Sequence, residues 1–210
     1  RPGCALHRVC AAGVEATTQV ADLIVLEATD VAIVEGVEQM GRPPLGAGPD
    51  PNPRLHAEKL VEPEFLVMGA TAENLHDRFP ALTKARADAY GVASQARYEA
   101  ARSAGRIEQD LVPVAIRTAE SGWGLAVADE PPRPGTTVES VAVLTTPCRP
   151  GGRVSAATSA PLTDEATECL LAEEETALDL GLTIGMRLVS YADAGVDPAG
   201  MGIGPVPSTQ

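Results

Sequence analysis

Cys10 is the residue whose type and setting could do chemistry most directly. An extended approach, Leu6 to Val9, gives way there to a run with helical spacing. A thiol at a helix N-terminus meets unpaired amides and the positive end of the helix dipole, and both favour the thiolate. A thiolate so placed can attack a carbonyl or thioester carbon. On spacing alone the plainer reading of a lone Cys, a small buried apolar side chain, is the stronger of the two. Cys4, Cys10, Cys148 and Cys169 form no Cys-x-x-Cys pair, and His7, His56 and His76 form no His-x-x-x-His pair. No metal site is therefore expected. Four cysteines in 210 residues fit reduced thiols in a cytoplasm better than a disulfide scaffold. A cysteine hydrolase would need a His/Asn or His/Asp partner. His7 stands too close in sequence, on the extended lead-in, to serve.

The elements that must position Cys10 are legible around it. Residues 10 to 28 have helical spacing, with Val14, Val20, Ile24, Val25 and Ala28 set apart from Glu15, Gln19 and Asp22. Residues 30 to 37 are β-branched and bounded by turn formers, which predicts a short buried strand. Helix then strand is a piece of an α/β layer. Residues 41 to 54 carry five prolines and three glycines, a density that predicts a loop. Residues 70 to 79 suit a short helix. Thr83 is placed to cap a long helix to Arg102, with Gly105 as its stop. Val112 to Arg117 resembles a strand, 129 to 136 a turn-rich connection and Val138 to Leu144 a short helix. Gly151 and Gly152 introduce Val154 to Ala157. A polar turn then leads into a helix expected from about Asp164 to Leu180, closed by Gly181. Met186 to Ala192 has the composition of a strand, and the stretch from Met201 to Pro207 is rich in Gly and Pro.

Composition narrows the function classes. Apolar residues are 44%, charged residues 21% and aromatic residues 3%, so a core must be built from Ala, Val, Leu and Ile. Lys plus Arg number 16 against 29 Asp plus Glu, a net charge of -13. That argues against a nucleic-acid partner, which requires a basic face. No apolar run reaches the roughly 18 residues of a membrane helix. The size suits one large domain or two small ones. The chain opens Arg1-Pro2-Gly3 without Met or a signal-peptide pattern, so it is expected to be trimmed or part of a longer protein.

Residues 7 to 40, from His-Arg-Val-Cys-Ala-Ala-Gly-Val to Val-Glu-Gly-Val-Glu-Gln-Met, resemble the active-cysteine segment of the thiolases. These are the acyl-CoA C-acyltransferases of fatty-acid and ketone metabolism, with the pattern Cys-x-Ser-Gly, a helix, a strand and a Glu-Ser-Met ending. The likeness continues in order along nearly the whole chain. Met68-Gly69-Ala70-Thr71-Ala72-Glu73-Asn74 resembles the family's Met-Gly-x-Thr-Ala-Glu-Asn. Thr83 to Gln95 resembles the next family helix, with Asp88, Tyr90, Ser94 and Gln95 in register. Asp129-Glu130 to Thr136-Thr137 resembles the Asp-Glu-x-x-Arg-x-x-Thr-Thr loop. Residues 151 to 174 resemble the Gly-Gly-Thr-Val-Thr-Ala-Ala segment with its Leu-Thr-Asp-Gly-Ala ending, and Asp197 to Pro207 the Met-Gly-x-Gly-Pro segment.

The resemblance implies an α/β fold, part of the layered α-β-α-β-α thiolase arrangement with an inserted, mostly helical loop domain. Residues 1–40 would belong to the N-terminal layer, 41–150 to the loop domain, 151–185 to a return to that layer and 186–210 to the start of the C-terminal half. Cys10 would be the nucleophile that takes the acyl group. Met68 and Met201 would line the acyl and pantetheine pocket, and Ala156 and Ala160 the loop against the pantetheine arm. CoA and acyl-CoA would be substrates, with no cofactor and no metal. The implied protein is cytoplasmic and a homo-oligomer, dimer or tetramer, without nucleic-acid or membrane partners. His56 and His76 are expected on solvated surface, and Glu173 to Glu175 on a solvated helix face.

The family's two histidines, in Asn-Glu-Ala-Phe and Gly-His-Pro segments, and its second Cys have no counterpart motif in this sequence. The chain therefore resembles an internal fragment, expected to be inactive alone. The alternative is a catalytically incomplete remnant, at most a CoA-contacting or subunit-interaction module. Cys148 and Cys169 match no such motif. Five positions depart from the pattern. Ala12 replaces the Ser of Cys-x-Ser-Gly, Glu35 a Gly in an apolar strand, and Val67 the His before Met-Gly. Glu165 replaces the Gly after Asp164, and Ala160 a Ser. A buried, unpaired Glu35 would cost several kcal/mol or stay protonated.

Overall fold

The computed structural model describes residues 3–43, 50–118 and 122–210. Residues 44–49 of the Pro- and Gly-rich loop, and Arg1 and Pro2, lie outside the described residues. The chain divides into two compact units. The first comprises Arg1–Pro51, Leu162–Gly195 and Pro205–Gln210, and the second Asn52–Pro161 and Val196–Gly204. Residues 151–161 group with the helical unit.

The first unit is built on α1 (Ala12–Val25), β1 (Val31–Gln39) and β4 (Asp164–Ala172). β1 and β4 pair antiparallel, with Val34 opposite Cys169 and Glu35 opposite Glu168. α1 lies against β1, and Thr18 and Val34 are buried. Side chains alternate across a strand, so Ile33, Glu35 and Val37 face the other way. Ile33 is 57% and Val37 74% exposed, so the expected buried strand is covered on one face only. Glu35 is exposed on that open face and carries no burial cost.

The helix expected from Asp164 to Leu180 is corrected. Residues 164–172 are β4, and only Glu174–Asp179 is helical, as α6. The reason is non-local. β1 has backbone groups that need partners, and the ladder from Val31↔Ala172 to Gln39↔Asp164 supplies them. Glu173 accepts the Thr176 N–H and starts α6, and Gly181 follows its end as expected. Met186 to Ala192 is not a strand. No described segment forms a ladder with it, and an extended run without one leaves its amides unpaired. Instead the Tyr191 hydroxyl donates to Asp22 at 2.9 Å, and Arg187 pairs with Glu174. The unit ends with α7 (Pro205–Thr209).

The second unit contains α2 (Arg54–Ala57), α3 (Met68–Arg78), α4 (Lys84–Ser103), the hairpin β2 (Val114–Thr118) with β3 (Gly122–Ala126), and α5 (Val138–Ala142). Thr83 accepts the Arg86 N–H at 3.2 Å and caps α4 as its position predicts. Lys84 reaches buried Asp88 at 2.6 Å and the Val141 carbonyl at 3.2 Å, fixing α5 to α4. β3 has no counterpart in the sequence reading, because its Gly-Trp-Gly start weakens any strand pattern. In the hairpin the Arg117 guanidinium stands 4.8 Å from the Trp123 ring centre. No helix among the described residues is long and apolar enough to cross a membrane.

Candidate functional site

Cys10 lies in a 3-10 turn, Val9–Ala11, that runs directly into α1. His7 Nδ1 accepts the Val9 N–H at 3.5 Å, and no hydroxyl or carboxylate caps the turn or α1. Val9 holds a φ of 49°. A β-branched side chain in the left-handed region is strained, and such strain persists only where the surroundings impose it. One clamp is visible. Arg8 pairs with Glu15 on α1 and, at 3.0 Å, with Asp193. Gln19's amide and Arg8 hold the Glu15 carboxyl below its ordinary range, and Glu15 and Asp193 raise the Arg8 pKa. Cys10 is exposed, as are Cys4, Cys148 and Cys169, and all are free thiols. The buried apolar reading therefore fails for Cys10, and its sulfur is open to a reagent.

The other four candidates, Met68, Ala156, Ala160 and Met201, belong to the second unit. Met68 opens α3 and is 62% exposed. Ala156 and Ala160 are exposed on a loop that begins at Gly151. Met201 sits in a 3-10 segment, Pro198–Ile203, and is 42% exposed. All four thus present apolar surface to solvent.

α3 ties these pieces together. Glu73, 1% exposed, accepts the Arg153 N–H at 2.8 and 3.0 Å and the Val154 N–H at 2.8 Å. The Arg153 guanidinium donates to the His76 carbonyl. The Asn74 amide donates to the Ala199 carbonyl at 2.9 Å and accepts from Arg149 at 2.9 Å, while Arg149 also pairs with Asp77. The loop is held from its other side by α4. A Cβ on Gly91 would stand 2.3 Å from the Ala157 carbonyl oxygen, closer than side-chain carbons come, so only Gly permits the approach. Gly152 is under the same constraint, 2.3 Å from Glu73 Oε1. The Ser155 hydroxyl accepts the Ala157 N–H and closes a capping box with Thr158.

A cavity of about 570 Å³ lies between α4 and this loop, lined by His76, Arg86, Tyr90, Ser94 and residues Ala157 to Ala160. Ala160 borders it, whereas Met68, Ala156 and Met201 do not. The two histidines expected at the surface are half-buried. His56 Nδ1 is 3.0 Å from the Val61 carbonyl and His76 Nδ1 2.5 Å from that of Leu82. They brace turns, because an imidazole satisfies a local carbonyl while its ring fills space. The sequence reading passed over Glu73, Asn74 and Gly91 as site residues. The first two lie inside the quoted Met68 to Asn74 motif, which was their available signal.

No group of three or more His, Cys, Asp or Glu among the described residues is arranged to hold a metal. The model of a family described as "Thiolase, N-terminal domain" matches residues 2–175. A 3-ketoacyl-CoA thiolase of Psychrobacter sp. is 38% identical over 209 residues, covering 99% of this chain and 53% of that relative. One from Shewanella oneidensis is 39% identical over 206 residues, covering 98% and 52%. Among solved structures, the Bacillus anthracis acetyl-CoA acetyltransferase matches with a TM-score of 0.77 at 30% identity, over 97% of this chain and 54% of that one. The human mitochondrial 3-ketoacyl-CoA thiolase matches with a TM-score of 0.79 at 27% identity, over 97% and 54%. The chain spans about half the length of the curated relatives it matches. With its α/β fold, its ordered motifs and the match over residues 2–175, the chain belongs to the thiolase family.

Proposed function

We propose that this chain supplies the acyl-accepting cysteine of a thiolase-type acyltransferase acting on CoA thioesters. Cys10 Sγ, as thiolate, attacks the carbonyl carbon of an acyl-CoA. The carbon–sulfur bond to CoA breaks, CoA leaves as its thiolate, and the acyl group remains as a thioester on Cys10. In thiolysis the attacked carbon is C3 of a 3-oxoacyl-CoA. The C2–C3 bond then breaks, and acetyl-CoA forms once its carbanion takes a proton. The CoA thiolate then attacks the thioester carbonyl, the carbon–sulfur bond to Cys10 breaks and the Cys10 thiolate leaves. In the synthetic direction the attacking atom is C2 of acetyl-CoA after loss of its proton to a base, and the Cys10 thiolate leaves in the same way. Met68, Ala156, Ala160 and Met201 contact the acyl and pantetheine parts in this reading. No cofactor or metal takes part, and the complete protein works as a cytoplasmic dimer or tetramer. The observation that carries the reading is an exposed thiol at an uncapped helix start, beside a strained Val9, within a thiolase match.

The second reading is a module that contacts CoA without turnover. Within these 210 residues the local hydrogen bonds of the histidines are what favours it. His56 and His76 are engaged with local carbonyls, and His7 Nδ1 faces the Val9 N–H at 3.5 Å. Intact mass of the 210-residue protein after exposure to acetyl-CoA and to a longer acyl-CoA separates the two. A single acyl adduct, lost in Cys10→Ser, supports the nucleophile. A folded protein with no adduct overturns acyl transfer by this chain alone and leaves the module.

A further inference from the structure

Glu73 is a buried carboxylate, 1% exposed, and its partners are backbone amides of one loop. Its two oxygens take three hydrogen-bond contacts from Arg153 and Val154, the residues that lead into Ala156 and Ala160. Gly152, just before them, has no space for a Cβ against this carboxylate. A bare chain segment rich in small side chains has little packing of its own to choose a conformation. Charge-assisted bonds from a buried carboxylate are about twice as strong as neutral ones, and they fix direction as well as distance.

We propose that Glu73 is a positioning residue that sets the conformation of loop 153–160 so that Ala156 and Ala160 present one surface to the pantetheine arm of CoA. This rests on the reading of that loop as a CoA contact given above. Glu73 acts through the loop amides and touches neither CoA nor the acyl group. Asn74, its neighbour, holds the Met201 segment through Ala199, so α3 sets two separate stretches of chain with consecutive residues.

The test is a titration of CoA into the 210-residue chain and into its Glu73→Gln and Glu73→Ala variants, with amide hydrogen exchange read on each. Gln fills the same volume and keeps one acceptor oxygen, but loses the charge and the second oxygen. A role in packing alone therefore leaves Glu73→Gln like the wild type. The proposal expects CoA affinity to fall about tenfold in Glu73→Gln and further in Glu73→Ala, with faster exchange at Arg153 and Val154. Exchange within α4 should stay at the wild-type rate. Wild-type affinity in Glu73→Gln overturns the proposal, as does a rise in exchange shared equally by α3, α4 and the loop. If Glu73→Ala does not fold, Glu73→Gln decides alone. A wild-type chain that binds no CoA overturns the CoA reading itself, and this proposal falls with it. A wild-type chain that binds CoA beside an indifferent Glu73→Gln overturns the proposal only.

Discussion

The two units are held together by different means. In the helical unit, polar groups reach across long stretches of chain and end on backbone. Glu73 meets Arg153 and Val154, Asn74 meets Ala199, Lys84 meets Val141, and Gln95 accepts the Arg133 N–H at 2.8 Å. In the sheet unit one ladder joins β1 to β4, and its register sets Glu35 opposite Glu168 and Glu38 opposite Glu165. Like charges directly across an antiparallel pair are unfavourable. The helical unit thus encodes its geometry in named side chains. The sheet unit keeps its register through buried Val34 and backbone pairing, against its own charges.

That contrast can be broken or sharpened by substitution. The largest effect is expected at Gly91. Ala at a helical Gly usually helps by up to about 1 kcal/mol through propensity. Here the added Cβ meets a carbonyl oxygen at 2.3 Å, so Gly91→Ala should instead destabilise, by about 1–3 kcal/mol. A urea midpoint that stays level or rises would show that the loop yields. Thr83→Ala removes the α4 cap, an expected loss of about 1 kcal/mol in the same measurement. In the sheet unit the sign reverses. Glu168→Lys places a cation opposite Glu35 and should stabilise by about 0.2–1 kcal/mol, an effect that salt reduces. A loss of stability there would mean that the acidic face is not a cost.

The smallest effect is a titration. The hydrogen bond to Asp22, and then burial, raise the Tyr191 pKa above its ordinary value. Its folded pKa is raised, so this contribution is fully present below the unfolded pKa of about 10 and is lost as pH rises through the folded value. Phenolate absorbance should therefore appear at higher pH in the folded chain than in urea. Asp22→Asn should move the folded curve back toward the unfolded one.

Legibility in the sequence follows the same division. Thr83, Gly105 and the span to Arg102 give α4 almost residue for residue, because cap, helix and stop are local signals. The helix after Cys10 and the strand after it are equally plain. The Asp-Glu-Ala-Thr-Glu run of β4 has helix-friendly residues, and only its pairing with β1, more than a hundred residues away, makes it a strand. Met186 to Ala192 is the opposite case: Val189 and Tyr191 suit a strand but have no ladder partner among the described residues. At the site, the place of Cys10 before a helix was legible from spacing, while its role as nucleophile rests on the family resemblance. Gly91 was not, since nothing in the sequence near it tells which loop will arrive against α4. The exposure of Ala156 and Ala160 was likewise a property of the surrounding packing rather than of alanine.

The uncovered face of the β1–β4 pair bears on how the protein behaves as a colloid. Ile33, Val37 and Leu170 offer adhesive surface to any copy that collides with it. At neutral pH a net charge of -13 keeps collisions short. Acidification toward the carboxylate range, or added salt, removes that repulsion and leaves the adhesive face intact. Clouding of concentrated samples should therefore begin on the acid side, and sooner in salt, while dilute neutral buffer keeps them clear.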